Sequence, residues 1–281
     1  MRKSIFAGRT DSSCFSRGIP TDRSLDSDDR ATPESGGSAM TLGTLYGIGI
    51  GPGDPDLITV KGVQLLSRCR HVVVPKASES ADSVALRIVK KHLNPLTEIH
   101  EVVFPMITKR DELMARWGAS AAYVESILSR GEDACFPTLG DTFLYSTYIY
   151  LVRALRDTLP EARIVTIPGV TAFSAVAAVT EFAVGEGKQS VTIVPTADDL
   201  TSVRDALRRN GTVVIMKIGK RLEAVLDLLE ERQAIETAVF ASHIGMPDEH
   251  VETDLRKLRG RGEQIGYLSI ILANMGTECL E

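Results

Sequence analysis

The sequence predicts an α/β protein built as two α/β lobes in series, with a ligand cleft between them. Three observations carry this. From Leu45 onward, strand and helix signals alternate, the pattern of βαβ units and largely parallel sheets. The first apolar run, Leu45 to Ile50, breaks at Gly51-Pro52-Gly53, a tight turn at the carboxyl end of a strand, where open α/β sheets bind ligands. The alternation then pauses at Gly185-Glu186-Gly187 and restarts, so two sheets in series are expected, and the crevice between them suits a small molecule. The expected division is an extension over 1–42, an N-terminal α/β domain over 43–186 and a C-terminal α/β domain over 187–281. Strand directions inside the second lobe stay open.

Residues 1–42 are rich in Ser, Asp, Arg and Gly and poor in apolar residues. Such a segment buries too little apolar surface to offset its ordering entropy, so it reads as a disordered extension ahead of Met40. It has no apolar signal-peptide core, and Asp11, Asp22, Asp26, Asp28 and Asp29 weigh against organelle targeting. A chain starting at Met40 is expected to melt at the same temperature as the full chain; a large drop would show a folded segment there.

The first strand is Leu45–Ile50. Asp54 or Thr59 then caps a helix that turns Val60, Val63, Leu65 and Leu66 to the sheet and ends near Arg70. His71–Val74 is a continuous apolar strand of the kind buried on both faces. A helix over Ser83–Leu93, a strand over Glu98–Phe104 stopped by Pro105, and a long helix over Asp111–Arg130 closed by Gly131 follow. Asp133–Thr138 is a short strand, Tyr148–Leu159 a helix, and Arg163–Ile167 a strand ending at Pro168-Gly169. The next helix carries Ala172, Ala175, Ala177 and Ala178, small enough for close packing. The second series is strand Ser190–Val194, helix Ser202–Arg209, strand Thr212–Met216, helix Leu222–Glu230, and strands Ala238–Ser242 and Tyr267–Ala273.

A formal net charge of −5 argues against nucleic-acid binding through overall charge. No apolar run reaches the length of a membrane span. Cys14, Cys69, Cys135 and Cys279 are scattered without a Cys-x-x-Cys pair and read as reduced thiols of a cytoplasmic protein. The five histidines are equally dispersed, so no protein-bound metal is expected.

Gly47, Gly49, Gly51 and Gly53 alternate, which is not the dinucleotide spacing Gly-x-Gly-x-x-Gly, and no phosphate-loop motif is present. A nucleotide-dependent oxidoreductase therefore fits the alternation of elements but not the glycines. Gly49-Ile-Gly51-Pro-Gly53-Asp54 with Asp56-Leu-Ile-Thr59 instead resembles the N-terminal signature of the tetrapyrrole (corrin and porphyrin) methylases. The likeness recurs at Gly140-Asp141-Thr142-Phe143-Leu144-Tyr145-Ser146-Thr147, at Pro168-Gly169-Val170-Thr171-Ala172 and at Val213-Val-Ile-Met216. It spans about Leu45 to Leu272, in the family's order.

That resemblance implies a bilobal fold, S-adenosylmethionine as methyl donor between the lobes, a reduced tetrapyrrole as acceptor, and a homodimer. Carried over residue by residue, the donor site is Pro52, Leu139, Gly140, Asp141, Leu144, Ser146, Thr147, Thr171, Ala172, Met216, Ile244 and Gly245. Thr142 stands where many members have proline, which implies a less rigid loop. An ordinary capped turn at Asp141, a helix cap at Thr171 and plain core filling at Met216 are the competing readings. Lys76 and Arg110 are the cations chosen for substrate carboxylates, since both types suit such groups. Tyr145 and Asp141 are the candidates for proton removal, with His243 a third. Leu144-Tyr145-Ser146-Thr147 and Val72-Val-Val74-Pro75-Lys76 are similar to the branch that methylates C20 of precorrin-2 or its cobalt form in cobalamin synthesis. A methylase of another ring position, or a non-catalytic nucleotide or small-molecule binding protein, is the alternative.

Overall fold

The computed structural model describes residues 41–78, 80–104, 110–196 and 199–276. The long helix is described over 110–116 by its backbone alone, and Glu263 likewise. The expected extension therefore lies outside the described residues.

The first sheet contains β1 (Thr44–Gly49), β2 (His71–Lys76), β3 (Glu98–Val103), β4 (Ala134–Thr138) and β5 (Arg163–Ile167), in the order β3-β2-β4-β1-β5. Every pairing in it is parallel, as the alternation predicts. Its side chains alternate between two cores. Leu45, Val73, Ala134 and Phe136 pack under α3 (Arg110–Leu128) and α4 (Tyr148–Thr158). Ile48, Val72, Val74 and Cys135 pack under α1 (Val60–Arg68) and α2 (Val84–Val89). Each fully buried Leu, Ile, Val or Phe contributes about 1.5–3 kcal/mol. Thr59 caps α1 by accepting the Gly62 N–H at 3.1 Å, while Asp54 caps a separate single 3₁₀ turn through the Asp56 N–H at 2.8 Å. Val60 corrects the expectation: it is 75% exposed, because the buried stripe of α1 runs through Gly62, Leu65 and Leu66 and the first residue falls on the other side.

The second sheet has β6 (Val191–Pro195), β7 (Thr212–Met216), β8 (Ala238–Ser242), β9 (His250–Glu252) and β10 (Ser269–Asn274), ordered β6-β7-β10-β8-β9. Its strand directions, left open by the sequence, are mixed. Strands β6, β7 and β8 share one direction, with α6 (Thr201–Ala206) and α7 (Leu222–Glu231) on the crossovers. But β10 inserts antiparallel between β7 and β8, and β9 folds back on β8 as an antiparallel neighbour. The connection from β8 to β9 carries no crossover helix, so the chain can only reverse. Neither β9 nor α8 (Gly262–Ile265) has a period long enough to read from sequence.

One face of the second sheet is covered by α6 and α7. The other is covered by α5 (Ala172–Thr180), which lies against β10 and β8 through Ala175 and Val176, although it precedes the expected boundary in the chain. Helix α5 thus leads directly from the loop after β5 to the second sheet.

Candidate active site

Three of the sequence motifs follow β4, β1 and β5, which are neighbours in the sheet. Their loops leave the same carboxyl edge side by side. The first and second are joined by a small antiparallel bridge: Gly140 N–H donates to the Gly51 carbonyl at 2.7 Å, and Gly51 N–H to the Gly140 carbonyl at 3.3 Å. The first and third are joined by Asp141. Its Oδ2 accepts the Gly169 N–H at 3.1 Å, and its Oδ1 accepts the Phe143 N–H at 2.8 Å.

Glycine is required at this junction by contact. A Cβ on Gly169 would fall on the Gly140 carbonyl oxygen and 2.6 Å from the Gly49 carbonyl carbon; one on Gly49 would lie 2.6 Å from Gly169 Cα. Gly140 is the opposite case. Its φ is +71°, and a Cβ there would meet nothing within 4 Å, so its backbone borders open space at the carboxyl edge. Such an edge, with no side chain in the way, is what close approach of a ligand needs.

The loop after Asp141 is tied down residue by residue. Ser146 is buried and donates its hydroxyl to the Thr142 carbonyl. Tyr145 adopts φ +52° and donates its hydroxyl to the Ile193 carbonyl of β6 at 3.3 Å, linking the two sheets; its burial raises the pKa, so the phenol stays protonated at neutral pH. Leu144 and Thr147 are half-buried, and Thr147 precedes α4 without a side-chain cap bond. Leu139 packs with the α1–α2 core, and Pro52 is buried.

The second lobe meets the first at the glycine loop. A Cβ on Gly53 would lie 2.5 Å from the Ile244 carbonyl oxygen, and one on Gly245 would lie 2.6 Å from Asp54 N. Ala172, Met216 and Ile244 belong to one apolar cluster under α5, so three expected donor residues from separate motifs come together. Thr171 makes no cap bond to the helix backbone; its hydroxyl instead pairs with Ser174 at 2.7 Å. The Gly245 N–H is taken by Glu249 at 2.7 Å. His243 lies 3.6 Å from Asp248, at the start of the β8–β9 connection.

The cations chosen for substrate fare differently. Lys76 ends β2 with its side chain 11% exposed and its ammonium 3.3 Å from Glu101. That pair has to open, or turn as a unit, before Lys76 meets a carboxylate. The side chain of Arg110 lies outside the described residues. The Ile193 carbonyl and Glu249 carried no signal in the sequence, since their roles depend on which strand end comes to rest beside which loop.

Residues 44–259 match the model of the family described as Tetrapyrrole (Corrin/Porphyrin) Methylases. The chain belongs to this family. It is 32% identical over 239 residues to the cobalt-precorrin-2 C(20)-methyltransferase of Salmonella typhimurium, covering 85% of this chain and 99% of that one. It is 30% identical to a probable cobalt-precorrin-2 C(20)-methyltransferase of Methanocaldococcus jannaschii, covering 67% and 77%. Among solved structures it is similar to a cobalt precorrin-4 methyltransferase of cobalamin biosynthesis, with a TM-score of 0.64 at 23% identity over 82% and 94% of the two chains. A uroporphyrin-III C-methyltransferase from Thermus thermophilus, solved with S-adenosylhomocysteine, gives a TM-score of 0.58 at 19% identity over 83% and 97%. These two likenesses show the bilobal tetrapyrrole methylase fold. Among the described residues no helix is long and apolar enough to cross a membrane.

Proposed function

We propose that this methylase transfers one methyl group from S-adenosylmethionine to C20 of precorrin-2 or cobalt-factor II, in cobalamin biosynthesis. The observation that carries it is the family membership together with relatives of that activity matched along most of the chain. The donor would supply a methyl on a sulfonium, which an electron-rich ring carbon can take without any protein nucleophile as the C–S bond breaks to leave S-adenosylhomocysteine; the ring carbon then loses its proton to solvent.

The residues fit such a donor. The open backbone edge at Gly140 admits it closely, Pro52 and Leu139 flank that edge, and Ala172, Met216 and Ile244 offer one apolar wall. Leu144, Ser146, Thr147, Thr171 and Gly245 complete the proposed donor site. Lys76 and Arg110 are assigned to substrate carboxylates. A homodimer in the cytoplasm, without nucleic-acid or membrane partners, completes the reading.

Alignment is the main demand of an in-line transfer, and positioning alone supplies roughly 7–11 kcal/mol. Asp141 is assigned to positioning, because both of its carboxylate oxygens accept backbone N–H groups and hold the first and third loops together. Tyr145 is a hydroxyl donor, and a protonated phenol is no base. Removing a true general base costs about 10²–10⁴-fold. Tyr145→Phe is therefore expected to lower kcat/KM by less than about tenfold; a loss inside that larger range would restore Tyr145 as the proton acceptor.

The reaction itself is tested by anaerobic incubation with precorrin-2 and with cobalt-factor II, using labelled donor and locating the new methyl by NMR. A methyl at C20 is expected. One at any other ring position would overturn the branch but not the family. Donor binding without transfer to any tetrapyrrole would favour a small-molecule binding protein.

A further inference from the structure

At the opposite, amino-terminal edge of the first sheet, two histidines meet. His71 opens β2 and sits in register with Glu98, the first residue of β3; His100 lies two residues further along β3, on the same face as Glu98. His71 Nδ1 is 3.1 Å from His100 Nε2 and 3.5 Å from Glu98 Oε2. We propose that His71, His100 and Glu98 bind a divalent transition-metal ion of the zinc class, at a site separate from the methyl-transfer loops.

The outer partners permit the tautomers that a cation needs. A neutral imidazole has one N–H and one lone pair. His71 is 2% exposed, and its Nε2 is buried without a hydrogen bond, facing only Glu132 Oε2 at 3.4 Å. A carboxylate can only accept, so a proton on Nε2 meets Glu132 and, in the neutral ring, leaves the lone pair on Nδ1. His100 Nδ1 lies 2.7 Å from the Tyr123 hydroxyl; with its proton there, the lone pair falls on Nε2. With protons on His71 Nε2 and His100 Nδ1, two lone pairs and a carboxylate oxygen converge, as ligands do around a cation.

The spacing agrees. Ligands at 2.0–2.1 Å around a tetrahedral zinc are about 3.3–3.4 Å apart, and the two measured separations bracket that value. All three ligand atoms lie within 4.8 Å of one another. Arg70 donates to the other oxygen of Glu98, Oε1, at 2.7 and 2.9 Å, which turns Oε2 to the histidines. Arg130 donates to Glu132 at 2.7 Å and holds the carboxylate that orients His71. Glu132 and Tyr123 thus act as the outer shell that sets ring orientation in metal–histidine sites. Glu98 and Tyr123 are exposed, so an ion can enter from solvent, and water can fill a fourth position. Bound there, the ion would clamp β2 to the edge strand β3.

The competing arrangement is a metal-free hydrogen bond between the rings, donated either by a charged His71 or by a neutral His100 whose Nδ1 accepts from the Tyr123 hydroxyl. The two are separated by metal titration of the untagged full chain, stripped with chelator, using zinc by calorimetry and cobalt(II) by visible absorption. One ion per chain is expected, uncompeted by excess magnesium, with cobalt bands of nitrogen and oxygen ligands. His100→Ala and Glu98→Gln each weaken zinc binding at least tenfold, and Glu132→Gln weakens it about 10–100-fold. Zinc raises the melting temperature of the parent and not of His100→Ala. His71 is left intact because its loss could unfold the chain. No stoichiometric uptake, binding indifferent to His100→Ala and Glu98→Gln, or a thiolate-to-cobalt charge-transfer band would overturn the site. So would nitrogen NMR showing His71 doubly protonated with zinc present.

Discussion

Replacing Gly140 by valine is expected to abolish binding of S-adenosylmethionine while the protein stays folded. Gly140 sits at φ +71° on the bridge between the first two loops, and a side chain there would project into open space rather than into protein. That space is where the donor is assigned, so the isopropyl group and the donor would compete for it. The left-handed conformation costs a residue with a Cβ about 1–2 kcal/mol. For a chain of this size that lowers Tm by a few degrees, at about 2–4 °C per kcal/mol. Donor affinity should fall at least a hundredfold by calorimetry. A variant that binds like the parent would move the site elsewhere; one that unfolds would show that Gly140 serves the fold.

Gly169→Ala reverses that division of effects. The new methyl would meet the Gly140 carbonyl and the Gly49 backbone, and neither can swing away as a flexible side chain can. Overpacking of this kind typically costs 1–3 kcal/mol, and backbone against backbone puts the cost at or above about 3 kcal/mol. A Tm lower by roughly 6–12 °C is expected, with donor binding lost because Asp141 can no longer reach the Gly169 N–H. Gly118→Ala is the control: it lies in α3 with nothing within 4 Å of the added Cβ, and it should be neutral or slightly stabilising. Equal melting of the two variants would show that the three loops do not pack as described.

Much of this protein was legible in one dimension because its signals are local. The β5 strand Arg163–Ile167 and the β7 strand Thr212–Met216 lie where their apolar, β-prone runs do, and β7 is buried along nearly its whole length. Thr59 marks a helix start through its side-chain cap, and Gly131 a helix end through its positive φ. The loops of the candidate site announce themselves by glycine, because close approach forbids a Cβ whatever the fold.

What those glycines approach is another matter. Gly49 and Gly169 are far apart in the chain and touch only because β5 takes the edge beside β1 rather than beside β4, a choice of strand order that no local period encodes. The same holds for β10, which reverses the second sheet, and for Tyr145, whose hydroxyl finds the Ile193 carbonyl across the two lobes. His71 and His100 look dispersed in the chain, yet parallel register brings them to 3.1 Å. Sequence by itself determined the α/β class, the sites of the longer elements and the family, which depend on neighbours a few residues away. Only the tertiary structure decided which loops, carbonyls and imidazoles face one another, because strand order and register are settled by the packing of the whole chain.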